Sequence, residues 1–215
     1  DYLEKTNAIP GVGRTKVTRV WNAGISPADL IPKEEVEAWY NGIKGTLAGE
    51  VRGWLDSVFP AGKSKKLTTG GTVLLTIINS EFGPASEALV RTVQTAIDPE
   101  LYTGEGYGFA PIGHVVKVEG AEAKVVDVKT TLTFEPGYGW GNLQTSIEDA
   151  VSAYLLELRK GWADASCLVV RTSQIDNRIL NIPGIVDIRD TSINGSRDNL
   201  TLGEYEIPVL GGVGG

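Results

Sequence analysis

Residues 71–78 read Gly-Thr-Val-Leu-Leu-Thr-Ile-Ile, a β-branched run too short for a helix, and predict a strand. Residues 115–118 and 123–134 alternate apolar with polar positions and predict two more, as does 14–21 around Val17. Helical spacing appears elsewhere. Leu89, Val90, Val93 and Ile97 share one face of a helix that opens at Pro84 or Ala85 and is stopped by Asp98-Pro99. Ile147, Val151, Tyr154, Leu155 and Leu158 do the same up to about Lys160, with Asn142 as the expected N-cap. A shorter helix around 174–180 leads into strands at 185–193 and 205–210. Residues 1–8 read as the end of a helix cut off by Ile9-Pro10-Gly11.

Residues 25–70 break this rhythm. Val36, Trp39, Tyr40, Ile43, Leu47, Val51, Trp54, Leu55 and Val58 recur at three- and four-residue steps, while Gly42, Gly45, Gly49 and Gly53 weaken a continuous helix. The pattern predicts two helices with a break at 42–45, ended by Pro60-Ala61-Gly62, and a solvated basic loop at 63–66. Trp39, Tyr40 and Trp54 have two readings: anchors of an interface, or plugs that seat the segment on its own domain.

The elements sum to an α+β fold of two small α+β domains, each a few-stranded sheet packed with helices. Residues 1–112 form the first, with a helical insertion at about 25–70, and 113–215 the second. A boundary, and a hinge, is expected at 111–114. Ile9-Pro10-Gly11-Val12 and Ile182-Pro183-Gly184-Ile185 echo each other, both joining a helix end to a strand. Pro208 cannot donate to a ladder and places the final strand at an edge, where a neighbouring subunit could cover it; the glycines after Leu210 are expected to lead the chain out of the sheet. Tyr205, Ile207, Pro208, Val209 and Leu210 therefore join Trp39, Tyr40 and Trp54 as candidate interface residues.

A formal charge of -7 speaks against a nucleic-acid footprint, and the apolar runs are too short to span a bilayer. The chain holds no methionine, even at position 1, and reads as a fragment or processed product lacking its N-terminal part. Chemistry is scarce. His114 is the only histidine and Cys167 the only cysteine, which leaves no multi-cysteine zinc site and no His cluster; Cys167 sits in an apolar run and reads as a buried, inert thiol. Gly62-Lys63-Ser64 lacks the upstream glycine of a phosphate loop, and Gly104-Glu105-Gly106-Tyr107-Gly108 follows a helix where a dinucleotide fingerprint would follow a strand. No catalytic, cofactor or metal residues are assigned, no cofactor is expected, and the chain is expected not to be an enzyme.

Several motifs occur in a familiar order. Asn7-Ala8-Ile9-Pro10-Gly11-Val12-Gly13, Gly71-Thr72-Val73, Gly108-Phe109-Ala110-Pro111-Ile112-Gly113, and the ending with Tyr205-Glu206-Ile207-Pro208-Val209-Leu210 together resemble the baseplate J-like family of contractile phage tails and tail-like particles. The resemblance covers the middle and C-terminal domains and leaves out 25–70, which many members lack. It implies a structural baseplate wedge component of a virion or tail-like particle, made in the bacterial cytoplasm. Such a part pairs with a second copy and with other wedge, hub and sheath-proximal proteins, forms a ring around the tail hub, and rearranges on contraction. It implies no nucleic-acid or membrane partner. A small-molecule or glycan-binding module of a tail or cell-surface apparatus is the alternative.

Overall fold

The computed structural model describes residues 1–19, 32–63 and 71–215. The expected strand end at 20–21, the start of the insertion at 25–31 and the loop at 64–66 lie outside the described residues.

Helix α1 (Tyr2–Asn7) is capped by the Asp1 carboxylate, which accepts from the Glu4 amide. Strand β1 (Val12–Arg19) follows, then α2 (Glu34–Ile43) and α3 (Gly49–Lys63). The expected break between these helices is present. Pro60 does not end α3 but lies within its last turn. Strand β2 (Thr72–Asn79), α4 (Glu87–Ile97) and β3 (Val115–Gly120) complete the first unit. β2 is the centre of this sheet, antiparallel to β1 and parallel to β3. The expected boundary at 112–113 falls ahead of β3, yet β3 pairs with β2, so the first sheet runs on to Gly120.

The second unit opens with β4 (Glu122–Phe134), followed by α5 (Trp140–Lys160), β5 (Val169–Val170), α6 (Thr172–Leu180), β6 (Ile185–Ile193), β7 (Leu200–Thr201) and β8 (Glu206–Gly214). Its main sheet has the order β6-β4-β8. α5 begins two residues before the expected cap: Gly139 holds the N-cap position and Asn142 lies in the first turn. Asn194 and Gly195 both adopt positive φ, and the amides of Ile193 and Ser196 each donate to the other's carbonyl, closing a two-residue turn at the end of β6.

The two units are variations on one plan. In each, a helix ends in Ile-Pro-Gly and feeds an edge strand antiparallel to the central strand, whose other neighbour is parallel. The joints match closely. The amide of Ile9 donates to Thr6 and that of Val12 to Ile9; Ile182 donates to Ile179 and Ile185 to Ile182. Gly11 has φ +92° and Gly184 φ +94°, a conformation that glycine reaches at least cost.

The continuous apolar run in β2 has a structural cause: the strand is buried on both faces. Val73, Leu75 and Ile77 face a core with Val93, Ile97, Val116 and Val118. Ile78 belongs instead to the core of the second unit, with Val126, Val128, Ile147, Val151, Leu155 and Trp162. The first sheet thus lays its back against the second unit, and the two are joined by a packed face.

Candidate assembly interface

β1 carries the polar part of that face. Lys16 is paired with Thr76 across the sheet, and its buried amine donates to the carbonyls of Ala165 and Glu204, each at 2.7 Å. Burial pushes the Lys16 ammonium below its ordinary pKa, against the opposing pull of Glu204. Two residues on, the Thr18 hydroxyl meets the Tyr205 hydroxyl at 2.7 Å. These contacts tie the two units together, where the sequence suggested a hinge.

Beside them is a cleft of about 720 Å³, lined by Tyr2, Lys16, His114, Asp164 and Glu204 among others. Two of its polar groups already have partners: the Tyr2 hydroxyl lies 2.8 Å from His114 Nδ1, and Lys16 is held by two carbonyls. Arg19 and Gly71, on its wall, border residues outside the described set.

The C-terminal candidates divide. β8 does lie at a sheet edge, with Pro208 opposite Lys124 of β4. Ile207 is fully buried and Pro208 buried, so these side chains pack within their own unit. Tyr205 is engaged with Thr18, and Val209 and Leu210 are half-buried. The terminal glycines stay in the strand. Gly211 is the extra residue of a β-bulge, where a Cβ would meet the Asp127 carboxylate and the Val125 side chain.

The insertion candidates divide as well. Tyr40 is buried between the helices: its ring stacks on Phe59 at 4.6 Å and its hydroxyl donates to Asp56 at 2.8 Å. Lys63 of α3 pairs with Glu37 of α2 at 2.7 Å. Trp39 and Trp54 lie outside this contact, 57% and 65% exposed, with Val36 and Val51 also in solvent. The periodic pattern belongs to two amphipathic helices, and only part of it is spent between them. Cys167 is exposed, contrary to the buried thiol expected from its apolar neighbours; the run around it is loop until β5 begins.

Sequence reasoning missed a third apolar surface. Leu101, Tyr102, Tyr107, Phe109 and Ile112 are all exposed on the crossover from α4 to β3. Their scatter among glycines hid them, since no helical or strand period links them. Among the described residues no group of three or more His, Cys, Asp or Glu could hold a metal, and no helix is long and apolar enough to cross a membrane.

Comparison with known proteins gives the chain relatives. The chain is 37% identical over 163 residues to the phage-like element PBSX protein XkdT of Bacillus subtilis (strain 168), which covers 74% of this chain and 45% of that protein. It is 39% identical, over the same shares, to the uncharacterized protein YqbT of that strain. The chain spans less than half the length of these curated relatives. Among solved structures, the baseplate of the anti-feeding prophage aligns with 97% of this chain and 36% of its own, at TM-score 0.44 and 8% identity. Residues 126–215 match the Baseplate J-like protein C-terminal domain, which marks this part of the chain as a baseplate-like phage tail component.

Proposed function

We propose that this chain is a structural piece of a baseplate wedge, one that works by holding neighbouring proteins and not by turnover. The observation that carries this reading is the α2–α3 pair: it closes on Tyr40 and Phe59 and leaves Trp39 and Trp54 exposed on its outer surface. Tryptophan in that setting is characteristic of interface anchors. The packed face between the units supports the same reading, because a part that transmits force benefits from moving as a body. In the wedge the chain meets a second copy and other baseplate proteins, the wedges close into a ring around the hub, and the ring rearranges when the tail contracts. The second reading, a small-molecule or glycan-binding module, would use the cleft at Tyr2, Lys16 and His114, where the Tyr2 hydroxyl and the Lys16 amine are already engaged.

The test is a Trp39→Ser/Trp54→Ser variant of the full-length protein, expressed in the cell that makes the particle. A folded variant that is no longer incorporated into baseplates supports the reading. Full incorporation contradicts the reading that the α2–α3 pair anchors the chain in the baseplate.

A further inference from the structure

The crossover between α4 and β3 is held more firmly than a connecting loop requires. The buried Asp98 carboxylate accepts from the Gly104 amide at 3.0 Å with one oxygen and from the Val116 amide at 2.8 Å with the other. The amides of Phe109 and Ala110 donate back to Ala96 and Ile97 of α4, and that of Gly113 donates to Gly104. Gly108 sits so close to the end of α4 that a Cβ there would lie 2.3 Å from the Ile97 carbonyl oxygen. The backbone is fixed along its length.

On this frame the large side chains point outward. Leu101 is 81% exposed, Ile112 82% and Tyr107 69%, with Tyr102 and Phe109 also in solvent. Three of them are neighbours: the Tyr102 and Tyr107 rings stack at 4.4 Å, and Ile112 lies against Gly106, the residue before Tyr107. A loop needed only for connection would turn polar groups to water. Here the exposed apolar area is on the order of several hundred Å², the scale at which a patch marks an interaction site.

We propose that this loop docks into another baseplate protein, one offering an apolar recess bordered by lysine or arginine. The charge on the loop selects that occupant. Its exposed ionic residues, Glu100 and Glu105, are both acids, and they outnumber Lys5, whose amine lies 5.2 Å from the centre of the Phe109 ring. A second copy meeting the same loop would bring these acids together, which costs affinity. An anionic membrane surface would be repelled in the same way. Fixing the loop beforehand reduces the ordering cost of docking.

The inference rests on the baseplate reading, and the experiment separates the two. Benzoyl-phenylalanine replaces Tyr107 or Ile112 in the full-length protein, particles are purified, the chain is detected by immunoblot, and the sample is irradiated and digested. The expected result is an adduct to a different baseplate polypeptide, within a few residues of a lysine or arginine. An adduct to a second copy of this chain, or none from either position in particles that contain it, overturns the inference alone. Particles without the chain overturn the baseplate reading and this inference with it. As an independent measure, Leu101→Ser/Ile112→Ser should keep the thermal melt of the unmodified protein and lower its incorporation at least about tenfold, as loss of central anchors does. Unchanged incorporation contradicts the proposal.

Discussion

The ammonium of Lys16 lies 4.9 Å from the centre of the Trp162 ring, and so joins the edge strand of one unit to the core of the other. The same amine bonds the carbonyls of Ala165 and Glu204. Lys16→Ala removes these bonds and the packed stem and should cost about 2–3 kcal/mol, the scale of charged hydrogen bonds. Lys16→Met, which keeps the stem, should cost less. Urea denaturation measures both.

Lys16 also sets a pH dependence. Its folded-state pKa is lowered from the ordinary 10.5, so between the two values the unfolded chain binds more protons. The contribution of this group to stability is present above 10.5 and is lost as the pH falls through the lowered value. Lys16→Met should flatten that part of the profile relative to the unmodified protein. Equal slopes in the two proteins over the alkaline range would show that the amine is not desolvated.

Gly11 and Gly184 should respond unequally to alanine. Both have positive φ, which costs roughly 1 kcal/mol for a side chain. At Gly184 a Cβ would also lie 2.6 Å from the Tyr138 ring, whereas at Gly11 it meets a terminal methyl of Leu89 at 3.2 Å. Gly184→Ala should therefore destabilise more than Gly11→Ala, read as the difference in denaturation midpoint.

The free edge of β3 is closed by side chains. Gln94 donates to the Val116 carbonyl and accepts from the Val118 amide, while Asp98 accepts from the Val116 amide. Together they stand where a further strand would bond, and remove the hazard of an open edge. Asp98→Ala leaves the Gly104 and Val116 amides unpaired and should cost about 2–3 kcal/mol. It should also loosen the loop at 100–113, seen as faster hydrogen exchange there than elsewhere in the first unit.

Much of the fold was legible in the sequence. The β-branched run of β2 and the 3.6-residue spacing of α4 and α5 depend on periodicity, which survives without tertiary knowledge. The two Ile-Pro-Gly joints were visible as an echo, and the structure gives them one geometry. What was hidden depended on distant contacts. Nothing local to β3 says that it pairs with β2, a strand some forty residues upstream and on the other side of the expected boundary. Ile207 and Pro208 read as an edge seam because a proline announces an edge, while their burial comes from the packing of α5 over β8. The apolar neighbours of Cys167 suggest burial, and the loop turns it outward. The exposed aromatics of the 100–113 crossover carry no period at all.

The most direct test of the central claim is a density map of the assembled particle at side-chain resolution, made with the full-length protein. The account predicts that the chain lies in the baseplate ring, with Trp39 and Trp54 of the α2–α3 pair covered by a neighbouring protein. A chain absent from the ring, or one seated there with both tryptophans facing solvent, would contradict it.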